Sequence, residues 1–578
     1  MKISRYSIAA AALGAAYTGA VWAQLGGLAA QEWTTSGGDA QRSSWIRKDG
    51  LISKAAMGTG KFGFLWKIKV NTQPRQRSYF AQPMLVGNAM GFKGFRSLTI
   101  LASPSNTLHA VDNDFGTMYW EKHFDAPIPS ESTPACPGGM TAAPSRATNP
   151  NPATLAGRGP VIRSPYQSSL GEPGGGAVVD SAAYLPGGGG AARAGAAGRG
   201  GAAAAGRGAA PATPPPPAAR RGRGPQTATG AGPMAVLSSD GILHFVSPVT
   251  AKELMKPVHF LPANANSTDL AWVDGLVYTA TINNCGGVPN GIWAIDPLAE
   301  NPQPLSWKTN GGSVVGLPAF SSDGTVYAVI GDGKTSEGGY ANAVVALDGQ
   351  TLQVKDSFSQ PGAGFASTPV IFQSRGKELL AEASADGKIY LLDTASLGGA
   401  DHKTPLEVTP ASAGTRASVV PEALASWQDD NGVRWLLVAS AAPSQLNRFS
   451  STNGAVTNGA ITAYKMKTGA KPSLEPVWIS RDMVAPITPI IVNGVIYALA
   501  SGEFNPGDPS VSAADRAKRS THAILYALDA DTGKELWNSG NTITAYAHGT
   551  GLSSSPGQVY LATSDDMVYA FGMPYERQ

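Results

Sequence analysis

Two cysteines in 578 residues are too few for a CxxCH haem site, a cysteine-rich zinc module or an iron–sulfur cluster. Charge is scarce as well. Asp, Glu, Lys and Arg make up 15% of the chain, and a net charge of +3 implies no nucleic-acid or other polyanionic partner. The 7 histidines are scattered, with no pair at a metal-ligand spacing such as HExxH. Helical periodicity is nearly absent after the N-terminal segment, and long apolar runs are missing. The one sustained apolar stretch, residues 8–19, falls short of the ~20 residues that span a bilayer.

That stretch follows Lys2 and Arg5 and ends at Val21-Trp22-Ala23, with small residues at the two positions a signal peptidase reads. The pattern predicts a general, Sec-type signal peptide over residues 1–23 and a periplasmic or secreted protein, a membrane anchor being the alternative. There is neither a twin arginine nor a lipid-anchor cysteine. No transmembrane segment is expected after cleavage, and a monomer is expected.

What the chain has in plenty is turn material: 70 Gly and 43 Pro. With so little charged surface-helix material, this composition predicts an all-β protein. One five-residue pattern recurs, two examples being Val344-Val345-Ala346-Leu347-Asp348 and Ile389-Tyr390-Leu391-Leu392-Asp393. Its central positions are Ala110, Phe245, Ala294, Ala346, Leu391, Ala463, Ala527 and Ala570, spaced by 135, 49, 52, 45, 72, 64 and 43 residues. Five of these intervals match one four-stranded repeat, while the 72 holds a long loop and the 135 an insertion. Within each repeat a short strand such as Thr368-Pro369-Val370-Ile371 comes first. A turn such as Asn493-Gly494, a second strand, the patterned strand and an outer strand follow.

The best-formed copy continues Ala527-Leu528-Asp529-Ala530-Asp531-Thr532-Gly533-Lys534-Glu535-Leu536-Trp537. It resembles the AxDxxTGxxxW tryptophan-docking motif of the PQQ-binding (quinoprotein alcohol dehydrogenase-like) propeller repeats, with weaker copies over 110–120, 294–307 and 463–478. The resemblance covers nearly all of the chain after the leader except residues 145–232. It implies an eight-bladed β-propeller of four-stranded antiparallel blades, built from residues 24–144 and 233–578. The last patterned strand lacks an outer neighbour, and Phe64-Leu65-Trp66-Lys67-Ile68-Lys69-Val70 is expected to supply it, closing the ring with Trp66 beside Tyr569.

Residues 145–232 lose the strand pattern. From 187 to 232 the chain is almost wholly Gly, Ala, Pro, Thr and Arg, and is expected to be disordered. Cys136-Pro137-Gly138-Gly139 reads as the innermost strand of the second blade, so the insertion would leave from the face opposite the ligand site of quinoprotein propellers. On the other face four long loops are expected, over 282–291, 331–342, 441–459 and 501–521.

The resemblance implies two readings of function. One is a ligand- or protein-binding scaffold, meeting a small molecule or an envelope protein. The other is a PQQ-dependent periplasmic oxidoreductase acting on an alcohol or sugar, with PQQ and Ca as cofactors. By analogy with the family's Gly-Thr-Gly-Asn stretch, Asn283 or Asn284 stands where an Asn metal ligand would be, Asn284 being the stronger candidate. The family's vicinal Cys-Cys pair and convincing matches for its Glu ligand and catalytic Asp are missing. Cofactor-binding candidates at the channel mouth are Asn283, Asn284, Asp332, Arg416 and His548, with Asp269, Arg481, Asp482 and Glu503 nearby. Cys136 and Cys285 are expected to pair across adjacent blades in an oxidising compartment, two buried thiols being the alternative.

Overall fold

The structure is a computed structural model. It describes residues 33–70, 80–91, 94–128, 133, 135–148, 232–411, 424–441, 453–469, 471–505, 511–548 and 551–574. The strands form four-strand antiparallel units, laid down from an innermost strand outward in chain order, except that the last takes its outer strand from residues 63–69. The first unit is Met84–Gly91, Gly94–Ser103, Thr107–Asp112 and Thr117–His123. Later units open on Ser145–Thr148, Ala271–Val273, Ala319–Phe320, Val370–Ser374, Leu424–Gln428, Ile490–Val492 and Ser553–Ser555. Every copy of the sequence pattern lies on the third strand of its unit, for example Ala343–Leu347 and Ile524–Asp529. These strands are buried on both faces, because each unit packs against its neighbours on either side. Tight turns of the Asn493-Gly494 kind, with φ of 46° and 75°, return the chain between strands. Among the described residues helix occurs in short pieces such as Lys54–Met57 and Ala513–Arg519.

Tryptophans join the units. Trp478 ends the sixth unit's outer strand and donates its Nε1–H to Ala530 O of the seventh (3.0 Å), lying over Gly533. Gly533 has φ +69°, and a Cβ there would stand 2.3 Å from the Trp478 ring, so only glycine fits beneath it. Gly63–Lys69 pairs antiparallel with Met567–Gly572, Trp66 opposite Ala570 and Lys67 opposite Tyr569. From that strand Trp66 donates to Asn113 O (2.7 Å) and covers Gly116 of the first unit in the same way.

The segment Cys136-Pro137-Gly138-Gly139 is not a strand. The innermost strand of the second unit is Ser145–Thr148, which lies inside the stretch read as insertion and pairs with Met234–Leu237. Gly138 and Gly139 both have positive φ, which breaks an extended strand at the point where the apolar–turn spacing suggested one. The rest of the insertion, residues 149–231, and the leader lie outside the described residues. Among the described residues no helix is long and apolar enough to cross a membrane.

Residues 33–46 carry no repeat signature, yet they bond to unit after unit. They pass from one innermost strand to the next in chain order. Leu85 N donates to Trp33 O, Arg146 N to Thr34 O, and Thr35 Oγ1 to Leu270 O. Phe320 N then donates to Ala40 O, Ile371 N to Gln41 O, Ser426 N to Ser43 O and Ile491 N to Ser44 O. These bonds, 2.9–3.0 Å long, reach the innermost strands of the first, second and fourth through seventh units, and the residue just before that of the third. Trp33, Arg42 and Ser43 are buried as a result.

Glu382 is fully buried on the fifth unit's second strand, accepting from Ser367 N, and burial drives its pKa well above the carboxylate range. A raised folded-state pKa means that the folded chain keeps a proton the unfolded chain has released. Stability therefore falls as pH rises from the unfolded value of ~4.5 toward the folded one. We expect Glu382→Gln, which mimics the protonated acid, to melt increasingly above the wild type as pH rises from 4.5 to 8. Parallel melting curves across that range would count against a neutral Glu382.

Candidate site at the channel mouth

The ends of the innermost strands and residues 33–46 enclose a cavity of about 470 Å³, within the usual range for small-molecule sites. Its walls come from the segments just before the innermost strands (Thr141, Asp269, Thr368, Thr488, His548) and from loops after the second strands. Strand ends from many parts of the chain contribute to it. Side chains far apart in sequence therefore meet there.

Two polar stations line it. At the first, His548 Nδ1–H donates to Glu503 Oε1 (2.5 Å), and Arg516 Nη1 stands 3.4 Å from the same oxygen. Glu503 is buried, and the helix Ala513–Arg519 that carries Arg516 is capped by Ser512, whose Oγ accepts from Asp515 N. A buried carboxylate on Nδ1 fixes the ring's orientation and tautomer, with Nε2 as the acceptor nitrogen. The arrangement suits accepting a proton or hydrogen bond from a ligand hydroxyl.

At the second station Asp269 accepts from Ala143 N (2.7 Å) and Ser36 Oγ. Burial raises its pKa, against the opposing pull of Ser36, the Ala143 amide and Arg42. The Arg42 guanidinium is fully buried, and desolvation lowers its pKa to about 10, partly offset by Asp39 and Asp269. Its Nε donates to Pro318 O (3.1 Å), and its Nη1 to Thr35 Oγ1 (2.9 Å) and Ser36 O (2.5 Å). Its Nη2 has no partner among the described residues.

Of the residues singled out by sequence, His548, Glu503 and Asp269 meet at this cavity. Asn283, Asn284 and Asp332 are not in its lining. Asn283 donates to Ala135 O (2.9 Å), and Asn284 exchanges bonds with Asn290 through N–Oδ1 contacts of 3.1 and 3.3 Å. Asp332 accepts from Asn342 Nδ2 (2.6 Å). Arg481 pairs with Glu535 and lies over Tyr526, and Asp482 caps Thr457 and Asn458. Arg416 lies outside the described residues. Arg42 was missed, because residues 33–46 belong to no repeat; the buried-charge pattern appears only once the strands converge around them.

Beside this rim, Cys136 and Cys285 are joined by a disulfide, with Cα atoms 5.6 Å apart. It ties the loop before the second unit's innermost strand to the loop after the third unit's second strand. Ala135 O accepts from Asn266 Nδ2 and Asn283 Nδ2 at the same point.

No protein-family model matches the chain, and no curated protein matches it. Solved structures do. A quinohemoprotein alcohol dehydrogenase from Pseudomonas putida HK5 superposes with a TM-score of 0.53 at 11% identity, covering 95% of this chain and 81% of that one. The fold is a quinoprotein-like β-propeller. The quinohemoprotein alcohol dehydrogenase of Comamonas testosteroni gives 0.51 at 12% identity over 95% and 81% of the two chains. A europium-containing methanol dehydrogenase gives 0.51 at 10% identity over 94% and 98%. Likeness at this identity is a likeness of fold, and activity has to be argued from the site.

A calcium–quinone pair is the cofactor set such a propeller suggests. The described residues of this propeller do not fit it. No group of three or more His, Cys, Asp and Glu is placed to hold a metal among them, and the Asn284 amide is committed to Asn290. The cavity lining carries two carboxyl groups, Asp269 and Glu503, beside the buried Arg42, a poor reception for a polyanionic quinone.

Proposed function

We propose that this chain is an exported binding scaffold whose four-strand units close into an eight-bladed propeller, with a small polar molecule seated at the channel mouth. Closure is supported by the outer strand Gly63–Lys69 completing the last unit, and by Trp66 docking onto the first. Export is supported by the leader-like residues 1–23 and by the disulfide. The observation that carries the binding reading is the 470 Å³ cavity lined by the His548–Glu503 pair and Arg42, with no metal-type donor set among the described residues.

The test is a melting-temperature and calorimetric screen of the purified protein against sugars, polyols, alcohols and organic acids, and against PQQ with and without Ca²⁺. One class should stabilise the protein by about 2.7 kcal/mol at a hundredfold excess over Kd. His548→Ala should weaken that binding about tenfold, the value of one lost hydrogen bond of ~1.4 kcal/mol. Dye reduction by the PQQ- and Ca²⁺-loaded protein with any alcohol or sugar would overturn the scaffold reading in favour of an oxidoreductase. Failure of every compound to bind would remove the site itself.

A further inference from the structure

We propose that an open groove between the outer edges of the second and third units is a docking site for a segment of this same chain, residues 177–186. Tyr184 takes the place that an aromatic side chain fills at other joints. The groove is separate from the channel-mouth cavity, so the inference is independent of the binding reading above.

The other units show what belongs at such a joint. On four outer strands a tryptophan stands opposite the central residue of the repeated pattern: Trp66 opposite Ala570, Trp120 opposite Ala110, Trp478 opposite Ala463 and Trp537 opposite Ala527. In the third and fourth units an aromatic stands two residues further along, Trp307 opposite Ile292 and Phe358 opposite Val344. The fifth unit has Glu407 opposite Leu391, and its carboxylate accepts from Leu474 N of the sixth (2.5 Å). The second unit has neither device. Leu254 faces Phe245, its N donating to Phe245 O (2.8 Å), and Val258 stands opposite Leu243. Between these smaller side chains and loop 297–304 of the third unit a groove of about 1080 Å³ stays open. Leu254, Val258, Trp293 and Leu298 are half-buried along it, an apolar surface of the kind that marks an interaction site.

Where the chain leaves and re-enters the second unit identifies the occupant. Residues 149–231 depart from Ser145–Thr148 and return at Met234–Leu237, two paired strands of that unit. Thr148 pairs with Val273, Val273 with Leu276, and Val277 with Ile295, so they depart from the same end of the strands as loop 297–304. Thr148 and Ile295 are three strands apart, or ~15 Å, whereas residues 149–183 can span on the order of 100 Å. Tethering at both ends makes the encounter intramolecular, at an effective concentration that a free partner does not match. The aromatic residues between 149 and 231 are Tyr166 and Tyr184. Tyr166 has Arg163, Ser164 and Gln167 about it, while Tyr184 lies in Ala182-Ala183-Tyr184-Leu185-Pro186, preceded by Val178 and Val179, and suits apolar walls. A tyrosine buries its ring and keeps its hydroxyl for the wet edge of the groove, where Glu300 is exposed.

Hydrogen exchange on the intact protein provides the test, read over groove residues 253–259 and 298–303 and over residues 177–185. In the wild type, residues 177–185 should exchange at least tenfold slower than a free chain. Tyr184→Ala should remove that protection and speed exchange in both groove segments, while Tyr166→Ala should change neither. Leu254→Trp gives the second unit the tryptophan it lacks. It should release residues 177–185 to the free-chain rate with the groove segments still protected. If Leu254→Trp fails to fold, the two tyrosine variants decide, since both tyrosines lie outside the repeats. Free-chain exchange of residues 177–185 in the wild type overturns the proposal, as does protection that survives Tyr184→Ala or is lost with Tyr166→Ala. Protection that fades on dilution also overturns it, in favour of a second copy of the chain in the groove.

Discussion

Replacing Cys136 and Cys285 with serine should destabilise the protein by as much as about 5 kcal/mol, with a fall in melting temperature of roughly 5 °C. The cysteines are separated by 149 residues. Chain-entropy arguments give a cross-link of that span about 5 kcal/mol, gained by shrinking the unfolded ensemble. At about 2.1 cal/mol/K per residue, a chain this long moves roughly 1 °C per kcal/mol. A second consequence is local. The bridge holds the loop around Asn283 and Asn284 against Ala135, so those amides should exchange hydrogen faster without it. Thiol counting on the unfolded, unreduced protein is the prior control, and two free thiols per chain would remove the basis of the prediction. Melting curves that coincide with and without reductant would show that the bridge contributes nothing to stability.

Trp66 is the second residue from which a large effect is expected. It is nearly buried, and truncation of such a side chain to alanine costs about 3–5 kcal/mol. Gly116→Ala should act at the same joint from the other side, since its Cβ would stand 2.4 Å from Trp66 Cγ at a φ of +61°. The informative comparison is with Trp478→Ala, which empties the same kind of dock between units that follow one another directly in the chain. At Trp66 the joined units come from opposite ends of the sequence. Trp66→Ala should therefore raise hydrogen exchange in both Gly63–Lys69 and Met567–Gly572, whereas Trp478→Ala should leave those two strands protected. Equal exchange there in the two variants would show that Trp66 is an ordinary packing residue with no special role at the junction.

The repeats were the legible part of this protein. A period-two apolar strand with a turn at a fixed distance recurs whenever the same unit is built again, so each third strand could be placed from residues alone. The docking tryptophans were legible for the same reason. Register failed where the repeat is interrupted: ahead of residues 149–231 the spacing signal lapses, and Cys136 to Gly139 read as a strand although positive-φ glycines bend it into a loop. Asn283 and Asn284 looked like ligands because Asn after a strand suits both coordination and a left-handed turn. Here they hold positive φ, Asn283 bonding to the neighbouring loop at Ala135 and Asn284 to Asn290 within its own. His548 was placed by the geometry of converging strand ends. Arg42 was invisible, since a residue used once, by a segment that repeats nothing, has no pattern to reveal it.

The path of residues 33–46 also sets an order in time. These are among the first residues to be synthesised, yet their hydrogen-bond partners run through Leu85, Phe320 and Ser426 to Ile491. The neighbouring strand Gly63–Lys69 waits for Met567–Gly572. A chain growing from its N-terminus therefore has to carry both segments unsatisfied until almost the whole polypeptide exists, while the intermediate units fold from contacts within themselves. Until then an unpaired strand edge and a buried-type arginine face solvent together, which is the period of greatest exposure to aggregation. Any early stop before residue 567 leaves Gly63–Lys69 without the strand it pairs with.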